Sequence, residues 1–143
     1  MSEDALDEQV LSAWVALNST LKDSQMTREL TYNEAIVMLL IYEQYRRDGI
    51  GRTSVQHLLK STKLLKSLMN RTVNALCLQG YLKKERVGRQ LFVSPLPQRL
   101  PDFLAVHDHS LSLVRQVIDA IGQEDAQSFV RICKKMLAAD LKF

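Results

Sequence analysis

Apolar residues recur at intervals of three and four along most of this chain, and the breaks in that rhythm mark out six helices. The first is expected from about Asp4 to Leu21. Leu6, Val10, Leu11, Trp14, Val15 and Leu17 form its apolar side, and acids crowd its opening turn, where the helix dipole favours them. The polar stretch from Lys22 to Glu29 reads as a connection. Thr31 and Glu34 then make a capping box for a second helix, about Tyr32 to Arg47, in which each side chain bonds the other residue's backbone amide. Its apolar run of Ile36, Val37, Leu39, Leu40 and Ile41 marks it as the most buried helix. Gly49 and Gly51 close it, and Ile50 to Thr53 is placed to add one short strand. Ser54 can cap a third helix, about Val55 to Thr62, with Val55, Leu58 and Leu59 turned inward.

The fourth helix, about Lys66 to Gln79, organises what surrounds it. Met69, Val73, Leu76 and Cys77 lie on one stripe. The opposite face carries Lys66, Ser67, Asn70, Arg71 and Asn74, side chains that bond phosphates and base edges, with no acid among them. Gly80 suits a left-handed helix terminus. From there the pattern alternates: Tyr81 to Arg86 reads as a strand, Val87-Gly88 as a turn, and Arg89 to Ser94 as the return strand. Two short helices, a tight turn and a basic hairpin describe a winged helix-turn-helix. Such a helix face suits a major groove, and the hairpin, with Arg86 and Arg89, suits neighbouring backbone or minor groove.

Three prolines follow in Pro95-Leu96-Pro97-Gln98-Arg99-Leu100-Pro101, which predicts a kinked connection with Pro101 in the first turn of a fifth helix. That helix runs to about Ile121, with a stripe of Leu104, Leu111, Val114, Val117, Ile118 and Ile121, and Gly122 stops it. The sixth runs from Glu124 to about Leu141, with Phe129, Ile132, Cys133, Met136 and Leu137 on one side. The expected class is mainly α with a small β-hairpin wing. Residues 31–99 form the winged lobe; 1–30 and 100–143 form a helical scaffold intertwined with it. The apolar sides of the first, fifth and sixth helices exceed what one lobe of this size covers, which predicts a dimer.

Charge sharpens this picture. The formal net charge is +3, but from Arg46 to Arg99 there are twelve Lys or Arg against Asp48 and Glu85, a balance of +10. The remaining seven basic and fourteen acidic residues give the two ends −7. A basic middle between acidic ends is the footprint of a polyanion-binding module on a different scaffold. No apolar run reaches the roughly 18 residues that span a bilayer. The acidic start MSEDALDEQ is unlike a basic signal peptide, so a cytoplasmic place and no membrane partner are expected. Cys77 and Cys133 sit on apolar helix faces without a CxxC or disulfide pattern.

Enzyme chemistry has no foothold. There is no Ser/His/Asp or Cys/His set and no Gly-rich phosphate loop, so neither a catalytic centre nor a cofactor is expected. His107 and His109 lie two apart on a helix, a spacing that puts them on different faces, so a surface or cleft-lining pair is preferred to a metal site. His57 is expected exposed or near DNA. Cys77 has no evident cationic neighbour to favour a thiolate and reads as a core residue.

The order of elements resembles the MarR family of bacterial transcription regulators. The likeness rests on LTYNEAIVMLLIY (Leu30 to Tyr42), on KSLMNRTVNALCLQGYLKKE (Lys66 to Glu85) and on the two terminal helices. It implies a homodimer joined through the first and last two helices, double-stranded DNA as partner, and DNA-reading positions at Lys66, Ser67, Asn70 and Arg71, with Asn74 at the edge. It also implies a small aromatic or phenolic ligand that releases DNA. Three features depart from the family pattern. The wing tip Arg86-Val87-Gly88-Arg89 lacks the usual Asp, Ser94-Pro95-Leu96-Pro97-Gln98 replaces the usual lead-in to the fifth helix, and Lys63 and Leu65 stand where a turn glycine and a capping serine are usual. The expected function is a ligand-responsive repressor that binds a palindromic operator. The alternative is a winged-helix protein-interaction module that no longer binds DNA; the basic, amide-bearing helix face argues against it, since a protein-binding face carries apolar anchors.

Overall fold

The computed structural model describes residues 5–23 and 25–141. Its elements run α1 (Leu6–Asp23), α2 (Tyr32–Asp48), β1 (Thr53–Ser54), α3 (Val55–Thr62), α4 (Lys66–Leu78), β2 (Leu82–Val87), β3 (Gln90–Pro95), a 3₁₀ turn (Pro97–Arg99), α5 (Leu100–Ile121) and α6 (Gln123–Ala138). The expected start of the first helix at Asp4 lies outside the described residues. None of the described helices is long and apolar enough to cross a membrane.

Caps set the ends of α2 and α3. The Glu34 amide donates to Thr31 Oγ1 (3.1 Å) and the Thr31 amide to Glu34 Oε1 (2.9 Å), the reciprocal box expected from the sequence. Glu34 is buried there, and its Oε2 also accepts from Gln79 Nε2 (3.2 Å), which ties the start of α2 to the end of α4. Ser54 Oγ accepts from the His57 amide at the start of α3.

The three strands form an antiparallel sheet in the order β1-β3-β2, with Thr53 opposite Val93 and Leu82 opposite Pro95. Two boundaries differ from the sequence expectation. The short strand is Thr53–Ser54 rather than Ile50 to Thr53, because Asp48 Oδ1 accepts from the amides of Ile50 (2.8 Å) and Gly51 (2.9 Å) and holds them in a turn. A bond from Gln44 Nε2 to Oδ2 (2.8 Å), followed by the Gly51 and Ile50 amides, keeps the Asp48 carboxylate below its ordinary pKa. In the hairpin Val87 pairs with Gln90, so Gly88 and Arg89 make the turn, one residue later than expected. Gly88 has φ +62° and Arg89 has no positive φ, the pattern of a two-residue type II′ turn.

By contacts the described chain divides into two compact units, one up to Asp108 and the other from His109 on. The core of the first gathers Leu30, Val37, Met38, Ile41, Leu58, Met69, Val73, Leu76, Tyr81, Leu82, Val93, Phe103 and Val106. α2 was expected to be the most buried helix, yet α4 buries as many residues in a shorter length: Met69, Thr72, Val73 and Leu76 against Glu34, Val37, Met38 and Ile41. The reason is angular. Ile36, Leu39 and Leu40 spread around α2 and are only half-buried, whereas Met69, Val73 and Leu76 of α4 share one face.

Outside that core the helices are bare. α1 and α6 contain no buried residue; Trp14 is 53 % exposed and Phe129 56 %. On α5 the residues that reach the core are Leu100, Phe103 and Val106, while Val114, Val117 and Ile121 of the expected stripe are exposed. α6 starts one residue before the expected Glu124 and stops at Ala138 rather than Leu141.

Candidate nucleic-acid interface

α4 shows how one sequence serves core and surface together. Its inner side is Met69, Val73 and Leu76, joined by Thr72, whose hydroxyl donates to the Leu68 carbonyl (2.8 Å) and so enters the core satisfied. Its outer side is Lys66, Ser67, Asn70, Arg71 and Asn74, all exposed. The structure thus places these five sequence-predicted residues on one face of one helix.

The two ends of α4 are finished differently. At its C-terminus the Gly80 amide donates to Cys77 O (3.0 Å) and the Tyr81 amide to Leu76 O (2.9 Å), with Gly80 at φ +82°, a Schellman motif. The Tyr81 amide is therefore spent on the helix, and β2 begins one residue later than the sequence pattern suggested. Arg99 covers this end: Nη1 donates to the Gln79 carbonyl (3.2 Å), the guanidinium lies 4.2 Å from the Tyr81 ring centre, and Nε pairs with Asp102 (2.9 Å). At the N-terminus Leu65 occupies the capping position with no side-chain capping bond. The turn from α3 passes through Lys63 at φ +60°, a left-handed conformation that a β-carbon disfavours.

The hairpin has two faces. Alternation puts Leu82, Lys84 and Arg86 on one and Lys83, Glu85 and Val87 on the other. Leu82 enters the core, and on the same face Lys84 Nζ donates to Asn74 Oδ1 at 2.6 Å. On the other face Glu85 stands opposite Phe92, and Arg52 lies over the Phe92 ring (4.2 Å) and 3.8 Å from Glu85. The single acid of the wing is thus answered by an arginine of the segment just before β1. Arg86 and Arg89 are exposed, Arg89 in the turn.

Sequence reading overlooked Lys84, whose place was readable from its spacing of two from the core residue Leu82. Two of the twelve cations counted in the basic segment, Arg52 and Arg99, are engaged within the fold. Asn74 is not a free amide, since its carbonyl oxygen is taken by Lys84.

Of the remaining candidates, Cys77 and His107 are packing groups. Cys77 is half-buried against the core, and burial pushes its thiol above the ordinary pKa despite the nearby Lys84 charge. His107 stacks on Phe103 (ring centres 6.0 Å apart) and meets Tyr42 at a tilt (5.8 Å), the three rings forming one cluster. His57 is exposed, 3.4 Å from the Ser61 hydroxyl. Among the described residues no three His, Cys, Asp or Glu side chains gather as a metal site would require.

Helices packed behind a three-stranded sheet, with the last two strands forming an exposed basic hairpin, define a winged helix-turn-helix protein. No protein-family model and no curated protein matches the sequence. Solved structures do. BpsR of Bordetella bronchiseptica, whose DNA binding is regulated by 6-hydroxynicotinic acid, aligns with TM-score 0.75 at 16% identity over 96% of this chain and 100% of its own. The PcaV transcriptional regulator of Streptomyces coelicolor gives 0.74 at 12% identity over 99% and 100%. AbsC, a MarR family transcriptional regulator of the same organism, gives 0.73 at 19% over 96% of both chains. The chain has the MarR-type winged-helix fold.

Proposed function

We propose that this protein is a cytoplasmic, homodimeric, sequence-specific DNA-binding transcriptional regulator, a repressor released by a small aromatic or phenolic ligand. One observation carries the reading. The exposed face of α4 presents Lys66, Ser67, Asn70 and Arg71 without an acid, and the basic wing is bonded to that face through Lys84 and Asn74. An α-helix with such a face fits the major groove, where Arg bonds guanine and Asn bonds adenine bidentately. Arg86 and Arg89 would lie along the backbone.

Residues 31–99 form the DNA-binding lobe in this reading, and 1–30 with 100–143 the dimer scaffold. The bare apolar sides of α1 and α6 are the surfaces a second copy would cover. Support for the ligand comes from neighbours of the same fold: BpsR with 6-hydroxynicotinic acid, and NadR in complex with 4-hydroxyphenylacetate. A cavity of about 350 Å³ lined by Leu21, Lys22, Met26 and Tyr32, among others, is large enough for a single-ring compound. Retention on a mixed-sequence DNA column, lost with rising salt, tests the polyanion part of the proposal. Passage through the column at low salt would contradict it.

A further inference from the structure

Leu65 is anomalous where it stands. The capping position of a helix favours Ser, Thr, Asp or Asn, whose side chains bond the otherwise unpaired first amides. Here the Leu65 carbonyl accepts the first helical bond from the Met69 amide (2.9 Å), and its side chain caps nothing. Nor does it serve the core. Leu64 beside it packs against the buried cluster, whereas Leu65 is 75 % exposed, one of the barest large apolar residues in the described chain. The chain thus carries an unfavourable capping residue and an exposed isobutyl group next to Lys66 and Ser67, at the N-terminal end of the helix whose first turns would enter a major groove.

A major groove displays one apolar group, the C5-methyl of thymine. Resting on the regulatory reading above, we infer that Leu65 is a specificity-determining residue that reads a thymine methyl in each half-site. A leucine so placed gains nothing from a bare phosphate and loses contact over cytosine, which carries hydrogen at the same ring position. The residue therefore adds an apolar discrimination to the hydrogen-bonding readout of Asn70 and Arg71.

The test uses full-length protein and the duplex it selects from a random pool. Each thymine of that duplex is replaced in turn by deoxyuridine, which removes the methyl and leaves the hydrogen-bonding edge intact. One replacement should weaken binding about fourfold per half-site, the equivalent of ~0.8 kcal/mol for one buried methyl-sized group. Leu65→Ala should bind thymine and deoxyuridine duplexes equally. Leu65→Ser guards against a folding explanation, because it restores a capping hydroxyl. It should melt higher than wild type and still lose the methyl preference. Wild type indifferent to every replacement, or Leu65→Ser retaining the preference, overturns the inference while the regulatory reading stands. If no duplex is selected at all, the regulatory reading falls and takes this inference with it.

Discussion

Lys84 Nζ donates to Asn74 Oδ1 at 2.6 Å, so the first strand of the wing is bonded directly to the exposed face of α4. Both side chains are exposed, and such a bond contributes at most about 1 kcal/mol to stability. Its consequence is geometric: it fixes where the hairpin stands relative to the helix that would read bases. Asn74→Ala and Lys84→Ala should each lower affinity for the selected duplex, and the double variant should lose less than the sum. A coupling of about 0.5–1 kcal/mol is expected in operator binding, with melting temperatures nearly unchanged. Strict additivity in a double-mutant cycle measured by fluorescence anisotropy would show that the bond does not position the wing.

Lys63 holds φ +60° in the turn between α3 and α4. That conformation costs a β-carbon-bearing residue about 1–2 kcal/mol. Glycine avoids the clash but gives up about 0.5–1 kcal/mol in chain entropy. Lys63→Gly should therefore be more stable by about 0.5–1 kcal/mol in urea unfolding. The same variant removes a positive charge beside α4 and should flatten the salt dependence of DNA binding. A destabilised Lys63→Gly would mean that the lysine side chain is held by contacts worth more than the strain.

The exposed apolar residues of α1, among them Leu6, Val10, Leu11, Trp14 and Val15, need a covering surface. Obligate dimers commonly bury more than about 2,000 Å² in total. Sedimentation should show a dimer at micromolar concentration, and Trp14 fluorescence should be blue-shifted relative to an isolated α1 peptide. Trp14→Asp should dissociate or precipitate the protein. A stable, folded monomer of the wild type would contradict the dimer.

Much of this arrangement was legible in the sequence because it follows from local chemistry. The Thr31–Glu34 box, the Ser54 cap and Gly80 each announce a helix end through bonds made within a few residues, and the structure shows those bonds. The inner and outer faces of α4 follow from spacing alone. What the sequence hid was decided across the chain. The strand start at Thr53 depends on Asp48 capturing two amides. The first wing strand starts one residue late because the Tyr81 amide is committed to the end of α4. Phe103 and Val106 reach the core, where the spacing suggested a stripe through Leu104 and Leu111. The surroundings of two of the counted cations were hidden in the same way, since Arg52 lies over Phe92 and Arg99 over Tyr81, rings that no spacing rule brings near them.

Arg71 and Arg89 separate base reading from backbone attraction. Arg71 is exposed on the first half of α4, so Arg71→Ala should relax preference at one base pair in each half-site, a loss of about 1–3 kcal/mol per discriminated pair. Arg89 sits in the hairpin turn, so Arg89→Ala should weaken binding to all sequences evenly and reduce the salt slope by about 1. Arg131 on α6 is the control and should alter neither property. An Arg89→Ala variant with wild-type binding would mean that this wing, which lacks the usual Asp, does not touch DNA.

The central claim is that two copies of α4 read DNA at a fixed spacing, and in vitro selection of bound duplexes from a random pool tests it most directly. The account predicts enrichment of a two-fold symmetric consensus whose half-site centres lie about 34–36 Å apart, one helical turn. A pool that binds the protein at low salt yet yields no consensus after repeated rounds would contradict it, leaving only non-specific attraction between a basic surface and phosphate.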